Sequence, residues 1–175
     1  QQISHSEFWQ TALTTLNVYD NTALTSFELT GATKLTDARL SGGMDNNTLK
    51  NLAFIDCGLT SLDVRFLKNL TTLDITDTTA ITYLDISNTN INNLNTSGVY
   101  DLNSIRTLKA SNAGIDDTEI ASMLKPTLEV IDISNNSMVT SIDLSGYENL
   151  KSLNVSNTGI TELITTECTS LEMLD

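Results

Sequence analysis

Little in this chain could build a catalytic or metal centre. Its 175 residues include one proline, one histidine, one tryptophan and two cysteines, and aromatic residues make up 5%. The single histidine, His5, has no zinc co-ligands near it and cannot serve a histidine-based triad, so a metal site and a serine-type active site both fail for want of parts. No cofactor motif is present. Basic residues are also scarce: 9 Lys and Arg face 22 Asp and Glu, for a formal net charge of −13. A surface that negative repels phosphate backbones and anionic lipid, which excludes nucleic acid and membrane surfaces as partners. No apolar run approaches the length of about 18 residues that spans a bilayer, so no membrane insertion is expected. The chain begins Gln1-Gln2 without an initiator Met, which suits a cleaved export signal and a trimmed chain equally.

What the sequence does have is a repeat. Leu150, Leu153, Val155 and Ile160 follow the pattern L-x-x-L-x-V-x-x-T-x-I, and the pattern restarts 21 residues later at Leu171. A short repeating unit of this kind is one coil of a solenoid. Units open at Ile81, Ile105, Leu128, Leu150 and Leu171, at intervals of 24, 23, 22 and 21 residues. Earlier copies are placed at Leu49 and Leu24. Leu13, Leu24 and Leu35 show a half-period of 11, so two half-units make one coil. Between Leu49 and Ile81 the count is 32, neither one coil nor two, and the frame slips around residues 59–80. Leu70 there either opens a strand or lies on the opposite face. Residues 13–175 form the repeat domain, and residues 1–12, with Phe8 and Trp9, are read as an N-terminal cap, because terminal coils otherwise expose their core.

The segments ITYLDISNTNI, LEVIDISNNSM and LKSLNVSNTGI resemble leucine-rich repeats, whose core is L-x-x-L-x-L-x-x-N-x-L. Alternation with pieces such as TSIDLSGYEN and TELITTECTS resembles the leucine-rich surface proteins of Bacteroidetes and, more loosely, the internalins. The resemblance implies an α/β-type repeat solenoid: a horseshoe with a parallel sheet on its concave face and mostly extended or turn linkers outside. The ninth position departs from the pattern, being Cys57, Thr89, Ala113, Asn136 and Thr158, so no continuous asparagine ladder is expected there. Asn88, Asn112, Asn135 and Asn157 recur one place earlier.

Side chains alternate along a strand, so positions 4 and 6 of each unit point inward and positions 3, 5 and 7 outward. The outward ladders supply the candidate ligand-binding residues: Tyr83, Asp85, Thr107, Lys109, Val130, Asp132, Ser152 and Asn154, with Asn51, Ala53 and Ile55 placed on the same ladders. This face is small, polar and mildly acidic, with Tyr83 as its large aromatic anchor. A solvated sheet face, with Lys109 relieving repulsion between Asp85 and Asp132, is the competing reading. Those two carboxylates stand two coils apart, about 9.6 Å, on an open sheet, which does not make an inverting hydrolase site. One linker reads as a short helix at residues 117–124 on the outer face, capped by Asp116 with Glu119 three residues on and stopped by Pro126.

Cys57 and Cys168 lie about five coils apart, which predicts two free thiols, with Cys57 an inert core residue. Asn46, Asn69, Asn95, Asn135 and Asn154 begin glycosylation sequons, and Asp77-Thr78-Thr79 resembles a Bacteroidetes O-glycosylation pattern. Gly42 to Asn47 reads as a surface turn rather than a calcium loop. The expected function is that of a secreted or cell-surface bacterial module that binds or adheres to a protein or glycan and is not an enzyme. The alternatives are a structural spacer or the accessory domain of a glycan-processing enzyme. Because the sequence stops within a strand unit at Leu174-Asp175, continuation of the repeat and self-association through that end are both expected.

Overall fold

The computed structural model describes residues 2–3, 12–18, 21–40, 48–65, 67–95 and 102–175; Asn95 is described by its backbone alone. His5, Phe8, Trp9, the turn at 42–47 and the sequon at Asn46 lie outside the described residues. In chain order the elements are β1 (Gln2–Ile3), β2 (Thr15–Asn17), β3 (Ser26–Thr30), β4 (Asp37–Arg39), β5 (Asn51–Ile55), β6 (Ser61–Asp63), β7 (Thr72–Asp74), β8 (Tyr83–Asp85), β9 (Asn93–Asn95), β10 (Thr107–Lys109), α1 (Asp117–Met123), β11 (Val130–Asp132), β12 (Ser141–Asp143), β13 (Ser152–Asn154), β14 (Glu162–Ile164) and β15 (Met173–Leu174).

Successive half-units alternate between two faces. One face is an eight-stranded parallel sheet ordered β15-β13-β11-β10-β8-β6-β4-β2. The opposite face carries the sheet β1-β3-β5-β7-β9 and the pair β12-β14, also parallel. Each three-residue strand turns its middle residue inward, and the five-residue strands β3 and β5 turn in their second and fourth. Leu62, Leu84, Leu108, Ile131 and Leu153 from the long sheet are fully buried, and Leu52, Leu73 and Ile142 meet them from the other side in one continuous core. A single coil has too few neighbours to order its own backbone, so stability comes from stacking and from hydrogen bonds between coils. The result is a leucine-rich repeat solenoid.

This arrangement corrects the register of the N-terminal half. The copies opening at Leu24 and Leu49 are β3 and β5, which belong to the opposite sheet, and the long sheet is continued instead by β6, β4 and β2. Asn51, Ala53 and Ile55 therefore do not share a face with Tyr83. The interval of 32 residues is one and a half coils. LKNLAFI and LTSLDV carry the same inward spacing, so nothing local distinguishes the two faces. Leu70 opens the half-unit that carries β7, on the opposite face.

The same turn closes both kinds of half-unit. Asn88, Asn112, Asn135 and Asn157 after long-sheet strands, and Asp56, Asp77 and Glu167 after opposite strands, all have φ between 51° and 63°. That left-handed conformation suits Asn and Asp better than bulkier residues, which accounts for the asparagines recurring one place before the ninth position. The ninth position then turns inward to satisfy backbone carbonyls. Asn136 Nδ2 donates to Ala110 O and Ile133 O, both at 2.8 Å. The hydroxyls of Thr78, Thr89 and Thr158 donate to Phe54 O, Ile86 O and Val155 O. Cys57 Sγ and Cys168 Sγ lie 3.6 Å and 3.2 Å from Leu29 O and Leu144 O. Different side chains thus perform one task.

Helix α1 replaces a strand on the opposite face, between the coils of β9 and β12. Its capping box forms as the sequence indicates: the Asp116 carboxylate accepts from the Thr118 and Glu119 N–H groups, and Glu119 accepts from the Asp116 N–H. Ile120 and Met123 are buried against the core. Both cysteines are free, with Cys57 buried. Burial pushes the Cys57 thiol up to about 11. Thr78 is 1% exposed and its hydroxyl is committed to Phe54 O, so a glycan on Thr78 does not fit the folded chain.

Candidate functional site

All eight residues expected to form the outward patch lie on consecutive strands β8, β10, β11 and β13 of the long sheet. Their cross-strand rungs are Tyr83, Thr107, Val130 and Ser152 in one row and Asp85, Lys109, Asp132 and Asn154 in the next. Adjacent strands stand about 4.8 Å apart, so each row is a continuous stripe. Seven of the eight are half-buried, while Asp85 is only 2% exposed.

The second row has a structural duty. Asp132 Oδ1 accepts from the Ser134 N–H at 3.1 Å and from its hydroxyl at 2.7 Å. Asn154 Oδ1 does the same for Ser156, at 3.0 and 2.7 Å. Asp85 Oδ1 accepts from the Ser87 N–H at 3.0 Å. Each side chain caps the turn that follows its strand, an arrangement in which a short carboxylate or amide substitutes for a backbone acceptor. The motif recurs on the opposite face at Asp74 with Thr76 and at Asp143 with Ser145. One oxygen of each of these aspartates is occupied in this way, and the second oxygen of the buried Asp85 is taken as well.

Charge is organised around Asp85. Tyr83 donates its phenol to Asp85 Oδ2 at 3.1 Å, and Arg65 Nε lies 3.9 Å from the same oxygen. Arg65 also pairs with Asp63 at 2.9 Å. Burial, reinforced by the charge of Asp85, pushes the Tyr83 hydroxyl above its usual range. Lys109 Nζ sits 5.9 Å from the centre of the Tyr83 ring, a cation over an aromatic face. The sheet therefore presents an alternation of signs: Asp63, Arg65 and Asp85, then Lys109, then Asp132. Asp85 and Asp132 both neighbour Lys109 on the same row.

Arg39, Asp63 and Arg65 extend this surface but fall outside the expected set, because a frame that opens units at Leu24 and Leu49 passes over β4 and β6. The half-units LTDARL and LTSLDVR held the signal. The 11-residue half-period, followed past Leu35 across the longer segment to Leu59, assigns them to the long sheet. Among the described residues no group of three or more His, Cys, Asp or Glu side chains could hold a metal ion, and no helix is long and apolar enough to cross a membrane.

The Leucine Rich Repeat family matches residues 149–171, the coil that carries β13 and β14. That match covers one coil and agrees with the geometry above, which is that of a leucine-rich repeat solenoid. One similar solved structure is the functional domain of InlJ from Listeria monocytogenes, described as including a cysteine ladder. It is 23% identical, with a TM-score of 0.44, over 89% of this chain and 44% of that one. The chain thus spans less than half the length of that domain. No curated protein matches the sequence.

Proposed function

We propose that this chain is a recognition module without chemistry of its own, which acts at the cell surface or outside the cell and adheres to a protein or glycan through the outward face of the long sheet. The observation that carries this reading is the stacking of Tyr83, Thr107, Val130 and Ser152 beside Asp85, Lys109, Asp132 and Asn154 on four consecutive strands. Repeat solenoids present such extended faces to partners, and alternating charge around one aromatic ring favours specificity over raw affinity. Asp85 anchors Tyr83 from below; Tyr83, Lys109 and Asp132 are the contacts.

The test is a pull-down and a glycan array with wild type and with Tyr83→Ala, Lys109→Ala and Asp132→Ala. Loss of a captured partner by about tenfold or more in at least one variant supports the reading. Interactions untouched by all three would overturn it in favour of a structural spacer, and sugar release on a panel of glycans would favour an enzyme accessory instead.

A further inference from the structure

We propose a second binding site, on the turn edge of the solenoid and apart from the sheet face, that takes a saccharide residue bearing a carboxylate. An open pocket of about 500 Å³ lies there, lined by Lys68, Asn88, Thr89, Asn90, Asn112 and Gly114. Three consecutive coils build it. Lys68 lies between β6 and β7, Asn88 to Asn90 between β8 and β9, and Asn112 to Gly114 between β10 and α1. Its volume falls within the range of roughly 300–1,000 Å³ usual for small-ligand sites. No aromatic or hydrocarbon side chain lines it, so an apolar ligand would find little to pack against there.

The lining is a set of carboxamides with spare hydrogen-bonding capacity. Asn112 Nδ2 donates to Asn88 Oδ1 at 3.1 Å, and the left-handed backbone at both residues, φ 51° and 56°, holds the two amides in register. That bond leaves the Asn88 NH₂ group and the Asn112 carbonyl oxygen available, and the exposed Asn90 amide adds another donor and acceptor. Gly114 keeps the space open: a Cβ there would stand 3.1 Å from Asn90 Oδ1. The Thr89 hydroxyl is spent on Ile86 O and only shapes the floor. Groups that both donate and accept, side by side, match vicinal hydroxyls, which do the same.

Lys68 sets the charge. It is exposed, makes no ion pair among the described residues, and is the one ionised group of the lining. In a chain of net charge −13, a lysine with no carboxylate beside it in the pocket is a local exception. One ammonium suits one carboxylate; a phosphate group would call for more cations or a ring of backbone N–H donors. The ligand that fits both features carries several hydroxyls and a single carboxylate, as a uronic acid does.

The experiment is a calorimetric or NMR titration of the whole chain with an oligosaccharide containing glucuronic acid, and with its glucose counterpart, up to about 10 mM, enough to saturate a site of about 1 mM. Saturable binding of the acidic sugar is expected, with affinity lowered about tenfold by Lys68→Ala, retained by Lys68→Arg, and lowered by Asn112→Asp, which keeps the left-handed turn but adds a repelling charge. Lys34→Ala, an exposed lysine outside the pocket, leaves binding unchanged. Absence of saturable binding, equal affinity for the neutral sugar, or indifference to Lys68→Ala each overturns the proposal. Because none of these residues lies on the sheet face, failure here and failure of the sheet-face reading are separate outcomes.

Discussion

The two faces of the solenoid obey the same spacing but differ in continuity. The long sheet runs through eight strands without a break, whereas the opposite face is interrupted where α1 stands between β9 and β12. Elsewhere on that face, the first residues of a strand donate to a carbonyl in the preceding coil: the Thr71 and Thr72 N–H groups to Lys50 O, and those of Asn92 and Asn93 to Thr71 O. At β12 a side chain supplies the acceptor. Asp117 Oδ1 accepts from the Thr140 N–H at 2.7 Å and the Ser141 N–H at 3.3 Å, and its Oδ2 accepts from the Thr140 hydroxyl. A carboxylate at the start of the helix thus stands in for the missing carbonyl of a ladder. A face can lose a strand and keep its register if one side chain reproduces the lost acceptor.

Substitutions can break this parallel, and the largest effect is expected where coils touch most closely. A Cβ on Gly58 would lie 2.2 Å from Thr33 O, and one on Gly159 2.4 Å from Ser137 O, so each face has a glycine pressed against the previous coil. Gly58→Ala is expected to cost about 3 kcal/mol or more in urea unfolding, with Gly159→Ala similar, because backbone rather than a flexible side chain must move. A loss confined to one of them would show that the faces are not equally tight.

Next comes Asn136, whose Oδ1 accepts from the Ala113 and Gly114 N–H groups while its amide bonds Ala110 O and Ile133 O. Asn136→Ala leaves several buried polar groups unpaired and is expected to destabilise by about 2–3 kcal/mol. Asn136→Thr should recover part of this, since Thr89 and Thr158 perform a reduced version of the role.

Asp117→Ala tests the carbonyl substitute directly. Its hydrogen bonds, chiefly from the Thr140 hydroxyl, hold the Asp117 carboxyl below the usual carboxylate range. A depressed carboxyl stabilises the fold above its unfolded value and loses that contribution as pH falls through the folded value. The urea midpoint of wild type should therefore exceed that of Asp117→Ala at neutral pH, and the gap should close below about pH 4. Hydrogen exchange should quicken at Thr140 and Ser141 while the N–H groups of β11 on the long sheet stay protected. The smallest effect belongs to Lys109→Ala, which removes the cation over Tyr83 and should change stability by roughly 0.5 kcal/mol or less.

The same comparison explains what could be read from the chain directly. Inward positions, the capped helix and the free thiols were legible because each depends on local spacing or on a distance of several coils. So was the strand placement of the eight residues from Tyr83 to Asn154, where intervals of 21 to 24 residues keep the frame, although Asp85, expected to face outward, is buried. Assignment to a face was not legible at Leu24 and Leu49, because both faces bury a leucine at the same offset and only pairing between distant segments tells them apart. Nor was the turn-capping duty of Asp85, Asp132 and Asn154 visible, since an outward residue and a residue bent toward its own turn leave the same pattern. Only the serine two places on hints at it.

Two half-units of nearly equal length, facing opposite ways, also impose a reading frame on change. Gain or loss of a single half-unit of about 11 residues would carry every later segment to the wrong face, turning the row of Tyr83, Thr107, Val130 and Ser152 away from the surface it shares. Gain or loss of a whole coil would leave that surface intact and only lengthen or shorten it. The chain can therefore diversify by counting in coils, and a stray half-coil acts on this molecule as a frameshift acts on a message.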